Sequence, residues 1–142
     1  MEYEKKLGKI KSAEFFIEDH GILTFFLTFD FGGSCQGFGG YTLDSWDKKK
    51  DRRVGTAFGM DLILKLLNTF GVDRLDRIVG RTCFALYEQP YRWNDTIKGI
   101  ETPKFDGGKQ FVIDEHVEEW CGDEDWFKEE RAKKIAAGKA KR

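Results

Sequence analysis

The alternation of apolar and polar residues is clearest between Ile22 and Phe31. There Leu23, Phe25, Leu27, Phe29 and Phe31 recur at every second position, with Thr24, Thr28 and Asp30 between them. This period of two predicts a strand with one buried face. Lys9 to Ile17 reads as a strand before it. Glu18-Asp19-His20-Gly21 supplies the short polar residues and glycine of a hairpin turn. Residues 1–8 carry charge without periodicity and read as a frayed lead-in. Five glycines within residues 32–40 predict either a loop or a short third strand whose glycines lie under aromatic rings. Leu43 to Gly55 reads as a polar connection.

The period then changes to 3.6. Phe58, Leu62, Ile63, Leu66, Leu67 and Phe70 form one stripe, preceded by Thr56 as N-cap and followed by Gly71 as stop. The stripe needs a partner, and the face bearing Leu23, Phe25, Leu27 and Phe29 supplies one. Val72 to Gly80 is a connection with one helical turn. Arg81–Glu88, Thr96–Glu101 and Gln110–Ile113 are further short strands. The expected fold is α+β: a small antiparallel sheet packed on one long α-helix, as a single domain over 1–113. A charged C-terminal extension over 114–142, partly helical or disordered, completes the chain.

Composition changes this picture only in places. The 142 residues include 13 Phe and 16 Gly, and aromatics reach 15%, which excludes ordinary disorder. The 24 basic and 25 acidic residues nearly cancel, which argues against a uniformly basic nucleic-acid binder. The balance is uneven along the chain, however. Residues 48–53 are basic, 114–125 are acidic and 128–142 are net basic. Three widely spaced cysteines, with no apolar leader over residues 1–11, fit reduced thiols in a cytoplasm.

Candidate chemistry is sparse. The glycine-rich segment lies about fifteen residues from the helix start, so it lacks the strand–glycine–helix geometry of a phosphate loop. His20, His116, Cys35, Cys83 and Cys121 show no CxxC, HxxxH or CxxH pair, so no metal or other cofactor is expected. No catalytic constellation stands out. Arg52, Arg53 and Thr56 at the helix entry have the makings of an anion site. Phe38, Tyr41 and Trp46 are candidates for stacking on a base. Trp46, Tyr91, Trp93, Trp120 and Trp126 fall in loops or near the ends, as binding aromatics do. Glu118 and Glu119 are candidates for docking on a basic surface.

Glu18–Thr24, Gly37–Asp44, Arg53–Asp61 and Gly71-Val72-Asp73 together resemble a family of small proteins encoded by bacteriophages and prophages. The resemblance covers about Lys9 to Leu86 and carries no catalytic residues with it. Phage accessory proteins of this size often inhibit host immunity. The resemblance thus implies a non-enzymatic, anti-CRISPR-type inhibitor in the host cytoplasm, docking on a CRISPR effector or another defence protein complex. A sponge for a nucleotide messenger and a small enzyme are the alternatives. Open sheet edges add the expectation of a homodimer.

Overall fold

The structure, a computed structural model, describes residues 2–92 and 95–140, with side chains through residue 137. The chain divides into two compact units, Met1–Val112 and Ile113–Arg142.

The first unit contains β1 (Tyr3–Ile17), β2 (Leu23–Asp30), β3 (Cys35–Thr42), β4 (Asp44–Asp47), β5 (Arg52–Gly55), α1 (Ala57–Phe70), β6 (Thr82–Glu88), β7 (Gly99–Glu101) and β8 (Gln110–Val112). Six strands form one antiparallel sheet in the order β3-β2-β1-β6-β7-β8, while β4 and β5 pair separately. The second unit holds α2 (Ile113–Cys121) and α3 (Asp125–Ala140).

The expected small sheet on one long helix is therefore corrected. The sheet is the larger element, with 39% of the chain in strands against 31% in helices. There are three helices among the described residues, and the longest is α3, with 16 residues, rather than α1, with 14.

Two local features explain why the sheet outgrew its sequence signal. β1 serves two neighbours: Lys9–Ile17 pairs with β2, and Tyr3–Lys9 pairs with β6. Its charged first half is a strand rather than a frayed end because its cations find partners. Lys5 Nζ lies 2.6 Å from Glu101, and Lys6 Nζ sits 4.2 Å from the centre of the Phe31 ring, which itself covers Gly8. Between Ile10 and Ser12 the register shifts by one residue. This bulge puts Ile10 opposite Phe29 and Ala13 opposite Leu27, so the alternation changes phase at Lys11.

The glycine-rich segment forms β3. A side chain at Gly37 would strike the Phe26 ring, and one at Gly39 would strike the carbonyl of Phe25. The inner face of the sheet closes on itself. Phe38 on β3 and Phe111 on β8 bring their ring centres to 6.3 Å, although four strands separate β3 from β8 in the sheet order. Gln36 adds a polar tie, accepting the Tyr87 hydroxyl at 2.6 Å and donating to the carbonyl of Asp95 at 2.7 Å.

The long helical stripe forms as its sequence predicts. Thr56 Oγ1 accepts the Gly59 N–H at 2.9 Å, and Gly71, at φ 67°, ends the helix in the left-handed region. Leu62, Leu66 and Phe70 are buried, and α1 lies beside β8.

In the second unit, the acidic and basic stretches of the extension become helical. Arg131 on α3 donates to Glu118 on α2 at 2.6 Å.

Candidate binding surface

The segment read as a polar connection is a hairpin. Asp44 pairs with Gly55, Ser45 with Val54, Trp46 with Arg53 and Asp47 with Arg52. Its tip is Lys48-Lys49-Lys50-Asp51. The Asp47 carboxylate accepts the backbone N–H groups of Lys49 and Lys50 at 2.9 and 3.0 Å, which shapes the turn. Asp51 takes φ 52°, a left-handed conformation that Asp tolerates better than most residues.

The base of the hairpin is clamped. Asp44 receives Arg53 through Nε at 2.9 Å and Nη2 at 2.8 Å, a two-pronged carboxylate–guanidinium contact. The same carboxylate accepts the Leu23 N–H on β2 at 3.2 Å. Arg53 Nη2 also donates to the Asp44 carbonyl. The Arg53 hydrogen bonds hold the Asp44 carboxyl below its usual range, the Leu23 N–H adds to this, and burial opposes it. Asp44 in turn raises Arg53.

The clamp gives a pH prediction. A carboxylate with a depressed folded pKa stabilises the fold above its unfolded value, about 4. That contribution fades as the pH falls through the folded value. Asp44→Asn should therefore cost about 1–2 kcal/mol at neutral pH, a modest figure because Arg53 is partly in water. The deficit should shrink below about pH 4. Thermal unfolding of both proteins at neutral and acid pH measures it; an equal deficit at both would show that the Asp44 charge adds nothing.

Two acids are thus used to build the hairpin, while its cations are left to face outward. Lys48, Lys49, Lys50 and Arg52 are exposed. Among the described residues, none of the three lysines has an ion-pair partner, and Arg52 donates only to the Arg53 carbonyl. Trp46 is 55% exposed on the strand before the tip. The arrangement is a small, braced ribbon carrying one indole and four outward cations.

The other candidates from the sequence are not brought together with this surface. Phe38 is 1% exposed and lies in the aromatic core against Phe25, so it does not stack on a ligand. Tyr41 is half-buried against the rings of Phe25 and Phe38. Arg53 is engaged by Asp44, which removes it from an anion site. The Thr56 hydroxyl caps α1 and donates to the Leu43 carbonyl at 3.2 Å. Glu118 in the second unit is neutralised by Arg131, whereas Glu119 is exposed. Tyr91 lies 4.7 Å, centre to centre, from the buried Tyr87 ring. Trp93 lies outside the described residues.

Asp44, which the sequence reading passed over, is the residue that organises the site. Its signal was the near-symmetry of Asp44–Asp47 and Arg52–Gly55 about a lysine turn.

The thiols and imidazoles sit in unlike settings. Burial pushes the Cys83 thiol up to about 12, so it stays protonated and a weak nucleophile. Cys35 is exposed at the start of β3. His20 Nδ1 lies 3.1 Å from Glu18 in the exposed turn, and His116 is buried on α2. Among the described residues no helix is long and apolar enough to cross a membrane.

Comparison with protein-family models, with curated proteins and with solved structures finds no match to the chain.

Proposed function

We propose that the chain is a phage-derived, non-enzymatic binding protein that antagonises bacterial immunity in the host cytoplasm. It docks through the β4–β5 hairpin on an acidic surface of a defence protein, for which a CRISPR effector is the type case. The observation that carries this reading is Trp46, held exposed on a clamped ribbon whose three tip lysines have no ion-pair partner among the described residues. A large aromatic beside basic residues is the usual composition of an energetic centre in a protein interface. The Asp44–Arg53 clamp orders the ribbon before it meets a partner, which lowers the entropy lost on binding.

The geometry supports this over a nucleotide sponge. A sponge needs a concave pocket in which a base stacks and phosphates are held. Two groups suited to building it, Phe38 and Arg53, are committed to the core and to Asp44. Burial keeps the Cys83 thiol protonated, so it is a weak nucleophile.

The test is inhibition of a purified effector's target cleavage as the chain is titrated in. Inhibition should saturate near one chain per effector. Trp46→Ala should weaken it by about thirtyfold, a loss of ~2 kcal/mol typical of a central aromatic, with thermal stability unchanged. Lys49→Glu with Arg52→Glu should slow association most at low salt. No inhibition of any effector in a panel, together with no protection of phage in defence-bearing cells, would sink the reading.

A further inference from the structure

The far half of β1 is an open edge that the hairpin reading does not use. β1 pairs with β6 only from Tyr3 to Lys9, and Ile10 then bonds to Gly80 and Arg81 on the same side. From Ser12 to Ile17 the strand pairs with β2 alone, in unbroken register. The turn sets which residues bond to β2. The Glu18 N–H donates to the Ile22 carbonyl at 2.9 Å, whereas Leu23 gives its backbone to Leu43 and Asp44 on its other side. Antiparallel pairs alternate between bonded and unbonded, so Ser12, Glu14 and Phe16 bond to β2. Ala13, Phe15 and Ile17 aim their N–H and C=O groups outward, where no strand lies among the described residues. Their side chains stand opposite Leu27, Phe25 and Leu23, on the core face of the sheet. That face runs past the core, leaving Phe15 37% and Ile17 70% exposed, with Phe16 at 39% on the other face. Ser12–Ile17 has one charge, no proline and no glycine, so it lacks the usual devices that keep an edge from pairing. β3, at an end of the sheet, is interrupted by Gly39 and Gly40 at φ 145° and 83°.

We propose that this edge is a homodimer interface, occupied by the same segment of a second copy running antiparallel about a twofold axis at Phe15. A strand that bonds outward through residues 13, 15 and 17 has few ways to pair with itself. Centred on Glu14, it sets that carboxylate against its own copy. Centred on Phe16, it sets Glu14 against Glu18. Centred on Ala13, it runs Ile17 onto Lys9, beside which Thr82 of β6 already lies. Centred on Ile17, it leaves little but the turn to pair. Centred on Phe15, it opposes no like charges. Phe15 then meets Phe15 of the second copy, and Ala13 meets Ile17 of the second copy, a small side chain against a large one. Lys11 comes to the turn that carries Asp19 of the second copy. Lys11 and Asp19 are both exposed and, among the described residues, have no ion-pair partner within the chain. The two core faces thus join into one apolar row with an opposite-charge pair at each end. The proposal rests on the sheet alone and stands whether or not the hairpin docks on a defence protein.

Sedimentation equilibrium and amide hydrogen exchange of the full chain test it. The wild type should pass from dimer to monomer on dilution, and the Ala13, Phe15 and Ile17 amides should lose protection with it. Phe15→Pro removes the central outward N–H without taking a bond from β2, and should be monomeric. Lys11→Glu and Asp19→Lys should each weaken the dimer about tenfold, since each sets like charges opposite one another at both ends. An equimolar mixture of these two should form a heterodimer near wild-type affinity. That recovery shows both are folded, so the test does not depend on the proline variant. A wild type monomeric up to ~1 mM, a dimer whose 13, 15 and 17 amides stay unprotected, or a mixture no tighter than its components would each overturn the proposal. Protection that arises only when a purified CRISPR effector is added would give the edge to a partner's strand and overturn it too.

Discussion

Phe38→Ala should destabilise the first unit by about 4 kcal/mol, in the range for truncating a buried phenylalanine. For a unit of this size that is a fall in Tm of roughly 15 °C. The ring is almost fully enclosed, with Phe25 at 5.7 Å, Tyr41 at 6.0 Å and Phe111 at 6.3 Å between centres. The contact with Phe111 matters most, because it joins the two edge strands of the sheet across its curled inner face. Removing the ring leaves a cavity where β3 and β8 meet. Phe38→Leu keeps most of the volume and should cost about 1.5 kcal/mol or less. Urea unfolding of the three proteins measures both differences. Trp46→Ala should do the reverse, with stability within about 0.5 kcal/mol of wild type and the proposed inhibition weakened about thirtyfold. If Phe38→Leu left stability unchanged and abolished binding, the ring would be a ligand contact after all and its place in the core would need another explanation.

That pair of aromatics shows how far the sequence could be read. Phe38 and Trp46 both sit in polar or glycine-rich surroundings, and nothing in their neighbours separates them. The difference is parity. Phe38 shares a side of β3 with Gln36, and Gln36 points inward to the Tyr87 hydroxyl, while Gly37 lies on the other side under Phe26. Trp46 lies on a four-residue strand whose partners are charged, so its period of two carries one large apolar residue and no visible pattern. α1 and β2 were legible for the opposite reason: several apolar residues repeat at one period between clear boundary residues. The first half of β1 was hidden because its face is built from lysines, whose stems pack while their charges find Glu101 and Phe31. Arg52 and Arg53 adjoin in sequence but point to opposite faces of the ribbon. Only the register, with Asp44 on the Arg53 side, shows that one is bound and the other is exposed.

Gly59→Ala should cost about 3 kcal/mol, although local propensity predicts a gain. Gly59 lies inside α1, where Ala is favoured over Gly by about 1 kcal/mol. Its Cα faces the backbone of Leu43. A Cβ there would lie 2.3 Å from the Leu43 carbonyl oxygen and 2.6 Å from the Leu43 Cα. Backbone at that distance has to move, and Leu43 is poorly placed to do so. Its N–H donates to the Leu23 carbonyl at 2.9 Å, and its carbonyl accepts both the N–H and the hydroxyl of Thr56 at 3.2 Å. Pushing α1 off Leu43 therefore disturbs the helix cap and the link to β2 together, and overpacking of this kind costs more than propensity returns. Asp44 follows Leu43 directly, so the strain also reaches the clamp that orders the Trp46 hairpin. Inhibition by Gly59→Ala should accordingly weaken even at temperatures where the protein is folded. Gly55→Ala is the control, four residues away at the end of β5. A Cβ there meets nothing within 4 Å, so the change should stay within about 0.5 kcal/mol of wild type. Urea midpoints for the two variants separate close backbone approach from helix propensity as the reason for glycine at 59, and a Gly59→Ala chain as stable as wild type would mean the approach is looser than it looks.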